Sequence, residues 1–186
     1  MRGTESGDEF RRLVSRADEL GYDVFAAPDH LGAIAPFAVL AAAGMVSGRL
    51  RLRTYVLNTG FWNPAMLARE AASLDVLCAG RAELGIGAGH MKGEHDDAGL
   101  PWMPLGQRVQ AMETMAAEVR RRLADPAHQP RPVQQPVPLM IAAMSHAGLS
   151  VAARHADIVG FAGLRQVKGG SSGGHRHCTR VRSPGC

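Results

Sequence analysis

The sequence predicts an α/β protein built on a parallel sheet, and three observations carry that expectation. Amphipathic stretches with apolar residues three and four apart alternate with short apolar runs bounded by Gly, Asp or Pro, and the alternation yields five strand-like runs. Of the 186 residues, 46% are hydrophobic and 20% charged, a balance that suits one domain with a real core. Such punctuation implies parallel strands covered by helices, either as an open doubly wound sheet or as part of a (β/α)8 barrel. A full barrel takes about 250 residues, or about 31 per unit, so residues 1–164 amount to about five units.

The elements follow in order. A capping box, Ser6 with Glu9, starts a helix that buries Phe10, Leu13, Val14, Ala17 and Leu20 and ends at Gly21. Residues 23–27 form the first strand and a loop with Asp29 and His30 follows. A helix of small residues over 36–46 leads to the second strand, 50–57. Asn63 caps the next helix with Pro64 in its first turn, where a missing N–H costs nothing, and its apolar stripe is Met66, Leu67, Leu74 and Leu77. Strand three, 82–87, runs into Gly85, Gly87 and Gly89. A long polar connection over 90–106 then precedes a helix striped by Val109, Met112, Ala116, Val119 and Leu123. Residues 125–138 hold five prolines and read as an extended linker. Strand four is 139–142, a helix spans 147–156, and strand five is 158–161.

Charge and cysteine usage narrow the function. Residues 165–186 carry Arg165, Lys168, Arg176, Arg180 and Arg182 and no acid. Of 21 basic and 17 acidic residues in all, 16 and 17 are left elsewhere, a net charge of −1. The folded part is therefore nearly neutral, without the basic, aromatic-studded face that nucleic acid requires. The longest apolar stretch, 33–46, is interrupted by Pro36 and Gly44 and falls short of the roughly 20 residues of a membrane span. Polar residues Thr4 to Glu9 leave no export signal. Three cysteines, Cys78, Cys178 and Cys186, with no CxxC spacing, make neither a disulfide framework nor a thiolate zinc site, so a cytoplasmic location is expected. The tail past residue 164 has no strand or helix pattern and reads as disordered linker, vector-like or frame-shifted sequence.

Four segments carry residues suited to chemistry. Asp29 and His30 sit where a strand ends, the edge on which barrel enzymes assemble their sites. Asp29 caps the next helix beside an incidental histidine, or the carboxylate sets the tautomer of an imidazole poised for proton transfer. The run Gly85 to His90 is G-x-G-x-G followed by His rather than the dinucleotide fingerprint, so its glycines serve tight turning or close approach to a flat or phosphorylated ligand. His90, Glu94 and His95 lie in a Gly-rich loop and not on one helix face, and no metal site is expected. Tyr55, Val56 and Asn58 close strand two, with Phe61 and Trp62 after them as loop packing or as the wall of a ring-shaped cofactor. Ala142, Ala143, Met144 and Ser145 precede a helix, where backbone amides suit a phosphate and Ser145 suits an N-cap.

The order ADELGYD, PDHL, LRTYVLN, NPAMLAREAASLDVLCAGR, ELGIGAGH and AARHADIVGF resembles the bacterial-luciferase-like monooxygenase superfamily, and within it the coenzyme F-420-dependent oxidoreductases. The resemblance implies a partial TIM barrel over 1–164 that lacks the first strand and the last two units. It implies hydride transfer between oxidised or reduced coenzyme F-420 and a small organic substrate, with an FMN-dependent monooxygenase using molecular oxygen, or an inactive barrel fragment, as alternatives. By the same resemblance His30 exchanges a proton with substrate, and Asp29 orients it or touches the ring. The Tyr55–Val56 peptide is expected to be cis behind the ring, and Asn58 to meet the ring's polar edge. Gly87, Ala88, Gly89 and His90 would line the ring, Ala142 to Ser145 would cradle the cofactor phosphate, and Phe61, Trp62 and His90 would bound the substrate. Members of the family carry an insertion where this chain has its Pro-rich linker, and many carry GGxGP where it has AAMSH. The barrel's open edges suit a homodimer.

Overall fold

The expected punctuation folds into alternating strands and helices in a computed structural model, which describes residues 6–161 and the backbone of 177–180. Helix α1, Gly7–Glu19, begins where Ser6 Oγ accepts the Glu9 amide at 3.2 Å, and it closes ahead of Gly21, whose φ of +83° suits a residue without Cβ. Helix α2, Pro36–Val46, and helix α3, Pro64–Leu77, both start with proline in the first turn. Asn63 Oδ1 caps α3 by accepting the Ala65 amide at 2.9 Å. Helix α4 is Lys92–Asp97, α5 is Leu105–Ala124, and α6 is His146–His155.

The strands are β1 (Val24–Ala27), β2 (Arg51–Thr54), β3 (Leu57–Asn58), β4 (Ala82–Gly87), β5 (Leu139–Ala142), β6 (Ile158–Phe161) and β7 (His177–Arg180). The order β1-β2-β4-β5-β6 is parallel throughout, β3 also pairs with β4 in parallel, and β7 lies antiparallel on β6. Parallel neighbours joined through helices are the expected βα units.

Register divides the sheet into two faces, because paired residues point the same way. Leu57, Leu84, Leu139, Ile141 and Val159 face α3, α5 and α6 in one apolar cluster, while Phe25, Leu52 and Ala82 join α1 and α2 in a second. The opposite face carries Arg53 beside Glu83, Gly85 beside Met140, and the run Asn58, Gly87, Ala142, Gly160 at the strands' C-terminal ends. Glu83, with a side chain 2% exposed, pairs with Arg51 and accepts from Arg53 Nε at 2.6 Å. Two guanidiniums compensate this buried carboxylate, whose isolation would be costly.

Several expectations change. Strand two is not continuous over 50–57: it divides into β2 and β3 on either side of Tyr55–Val56, whose peptide is cis, as the resemblance implied. The 90–106 connection contains α4, which lacks a side-chain cap but buries Glu94 and His95. Leu13 and Leu20 of the first helix are exposed, since α1 buries Phe10 and Val14 against α2 and β1, with Ala17 half-buried beside them. On α3, Met66 and Leu77 are exposed, and Ala68, Ala71 and Ala72 let α3 lie close against its neighbours. The Pro-rich stretch forms no element but is anchored: Gln134 donates from its backbone N and from Nε2 to the buried Asp75 at 2.8 and 2.6 Å. In the tail, 177–180 forms β7 where no element is expected, and the remainder of 165–186 lies outside the described residues.

Candidate active site

Three strand ends and one short helix bring the candidate residues together. After β1, Asp29 does not cap α2, whose N-cap is Ala35. Its Oδ2 accepts the Asn58 amide at 3.2 Å and Trp62 Nε1 at 2.9 Å, joining the β1 loop to β3. His30 is paired not with its sequence neighbour but with Glu94 of α4, Nδ1 to Oε1 at 2.8 Å. Glu94 is 11% exposed at its side chain and His30 is 37% exposed, so the carboxylate is covered while part of the ring stays open. The His90 ring stands edge-on to His30, centroids 5.4 Å apart.

Asn58 is a hub. Its Oδ1 accepts the Gly60 amide at 3.1 Å, which turns Nδ2 toward His95 Nε2 at 2.9 Å. An amide NH2 can only donate, so His95 Nε2 is the acceptor nitrogen and Nδ1–H faces the Pro101 carbonyl at 3.1 Å. Phe61 and Trp102 pack on that imidazole at centroid distances of 5.0 and 4.9 Å. The Arg108 guanidinium lies 3.9 Å above Trp102, donates to the Ala88 carbonyl at 3.1 Å, and also reaches the Gly89 carbonyl. Burial lowers the Arg108 pKa from its usual value. Gly89, at φ +74°, leaves no room for a Cβ beside the Asn58 amide group.

The remaining candidates form the rim. The Tyr55 hydroxyl donates to the Phe161 carbonyl at 3.3 Å, linking the end of β2 to the end of β6. Val56 packs on Gly87, where an added Cβ would meet Val56 Cγ2 at 2.8 Å. Ser145 Oγ accepts the Gly148 amide at 3.1 Å, the N-cap role, while the Ala143 amide donates to the Gly160 carbonyl and Met144 is exposed. Gly87, Ala142 and Gly160 therefore form a shelf with little side-chain bulk of its own, covered by Val56 over Gly87, with Asn58 at its β3 end. A hollow of about 430 Å³ opens among the β1 loop, α2 and α3, lined by Asp29, His30, Phe37, Trp62 and Glu70 among others and by none of the shelf residues. Phe61 is outside that lining, beneath His95.

A family profile described as luciferase-like monooxygenase matches residues 1–171. The chain belongs to that family. Among relatives, it is 36% identical over 132 residues to an F420-dependent glucose-6-phosphate dehydrogenase of Intrasporangium calvum, covering 62% of this chain and 40% of that enzyme. Among solved structures, the monooxygenase RslO1 from Streptomyces bottropensis superposes with a TM-score of 0.72 at 26% identity, over 81% of this chain and 53% of that one. The coenzyme F420-dependent tetrahydromethanopterin reductase of Methanopyrus kandleri shares the fold, with a TM-score of 0.73 at 20% identity over 83% and 52%. The luciferase-like chain thus spans 40% of that curated relative and about half of each of these structures, and its sheet is a half-barrel, a partial TIM barrel. The named relatives are oxidoreductases and monooxygenases. Among the described residues, no helix is long and apolar enough to cross a membrane.

The sequence weighed Glu94 and His95 only as metal ligands in a loop and missed their pairing with His30 and Asn58, because a six-residue helix without a cap has almost no periodic signal. Their adjacency to the glycine run was the available clue. Arg108 was missed because it acts on backbone groups, which residue patterns do not display.

Proposed function

We propose that this chain supplies one side of the mouth of a deazaflavin- or flavin-dependent oxidoreductase acting on a small organic substrate, with coenzyme F-420 as the first candidate cofactor. The supporting observation is the row Asn58, Gly87, Ala142 and Gly160 along the strand ends, with the loop that carries His30 tied to its Asn58 end through Asp29. A planar ring needs a flat surface, a polar group for its edge and a proton-exchanging group near the reacting carbon. When bound, the cofactor supplies a ring position that accepts or returns a hydride. His30 then carries the accompanying proton to or from the substrate oxygen. Asp29 holds the β1 loop to β3 through the Asn58 backbone amide and Trp62 Nε1, which fixes the loop that carries the imidazole. Ser145 and the α6 N-terminus stand at the far end of the shelf, where a cofactor phosphate would lie.

A monooxygenase with FMN as its cofactor is the second candidate, and the likeness to the monooxygenase RslO1 at 26% identity favours that reaction class. Equilibrium titration of the purified chain with coenzyme F-420, FMN and NADP tests the reading. Saturable binding of F-420 with a single deazaflavin absorbance band is expected, and the two-band flavin spectrum would assign FMN instead. Binding of neither, or of NADP alone, refutes the proposal.

A further inference from the structure

We infer that Glu94 is the positioning residue of His30: it holds the imidazole as the Nδ1–H tautomer and leaves Nε2 as the nitrogen that exchanges a proton with substrate. The inference deepens the proposed function and rests on it for the identity of the reaction, but the tautomer is a property of this chain alone.

The geometry carries it. A carboxylate oxygen can only accept, so the 2.8 Å contact of Glu94 Oε1 with Nδ1 requires a hydrogen on that nitrogen. In a neutral ring the other nitrogen, Nε2, then carries a lone pair. Burial sharpens the effect: Glu94 is covered while His30 keeps its open part toward the hollow and toward His90. A shielded carboxylate on a partly open imidazole fixes orientation and stabilises the imidazolium formed on proton transfer. In that step the proton moves between the substrate oxygen and Nε2, Nδ1 keeps its hydrogen, and Glu94 remains ionised.

The placement of α4 supports the same role. Successive residues of one short helix reach two different groups of the mouth, Glu94 the His30 ring and His95 the Asn58 amide. Asp29 does not fill this role, since its carboxylate is engaged by the Asn58 amide and Trp62. Facing the His30 ring are therefore Glu94 and His90.

Nitrogen-15 NMR of the cofactor-free chain at about pH 8.5, well above the ordinary histidine range, reads the tautomer directly. The His30 signals are assigned by their loss in His30→Gln. The expected result is Nδ1–H in the wild-type chain, loss of that signature in Glu94→Gln, whose amide can either donate or accept, and its retention in His90→Gln. An Nε2–H ring in the wild type overturns the inference without recourse to any variant. Unchanged signals in Glu94→Gln also overturn it, as does loss of the signature in His90→Gln. If Nδ1–H stands and cofactor titration fails, the proposed function alone falls.

Discussion

Thr54→Val removes one oxygen atom at the point where β2 stops, and its effect can be worked from the ladder. Along β4 the Leu84 amide donates toward β5, to the Pro138 carbonyl at 2.9 Å, so the N–H and C=O of the next residue, Gly85, point toward β2. The β2–β4 register ends at Arg53 and Glu83, and pairing resumes only at Leu57 and Ile86 of β3 and β4, which leaves the Gly85 amide to be met by a side chain. Thr54 fills the gap with its hydroxyl, which accepts the Gly85 amide at 2.7 Å and donates to the Gly85 carbonyl at 2.8 Å. Thr54 is fully buried, so water cannot replace it. An orphaned buried amide costs about 1–3 kcal/mol and the carbonyl loses one of its two donors, so valine, which has the same shape, is expected to destabilise by about 3 kcal/mol. That is a large part of a typical net stability of about 5–15 kcal/mol. Urea denaturation should show a lower midpoint at unchanged slope, and the melting temperature should fall by about 6–12 °C. Thr54→Ser keeps both hydrogen bonds and loses one methyl, a cost of about 1 kcal/mol. The reasoning is refuted if valine behaves like wild type, or if serine is as damaging as valine.

Three further outcomes are expected. Gly89→Ala places a Cβ against the Asn58 side chain at a positive φ, so it should cost about 1–3 kcal/mol in thermal unfolding and weaken cofactor binding by displacing the amide; unchanged affinity would dissociate Asn58 from the site. Gly44→Ala drives a Cβ into Cys78 Sγ and to 2.7 Å from Leu52 Cδ1, an overpacking cost of about 1–3 kcal/mol, and Gly44→Ala with Cys78→Ala should recover much of the lost melting temperature. Glu118 is held down from 4.5 to about 2, chiefly by its hydrogen bond from Arg121. The folded chain thus binds that proton less readily than the unfolded chain, so the contribution is present above about pH 4.5 and is lost as pH falls toward 2. Glu118→Gln should flatten the acid limb of a melting-temperature profile over that window.

The parts of the fold legible in the sequence are those that repeat. The caps at Ser6, Asn63 and Ser145 read correctly because a capping side chain acts within three residues of its own position. The α5 stripe was legible because twenty residues hold a full period several times over. Long-range polar pairing left no such trace. Glu94 meets His30 across 64 positions, and Gln134 meets Asp75 across 59. Asp29 beside His30 suggested a dyad by adjacency, but consecutive residues at a strand's end point apart, and each carboxylate–imidazole or carboxylate–amide pair was completed from another element. The alanines of α3 were underrated for a related reason: small residues bury little area each, yet they decide how closely a helix approaches its neighbours.

The guanidinium of Arg108 has an architectural consequence. By grasping the carbonyls of Ala88 and Gly89 from the start of α5, and that of Met103 at 3.0 Å, it staples shut the base of the excursion that leaves the sheet after Gly89 and returns before α5. Whatever is spliced between those ends is held at a fixed distance from the glycine shelf. The excursion is in that sense a cassette, whose contents could be exchanged or lengthened to retune the imidazoles it delivers while the sheet beneath keeps its shape.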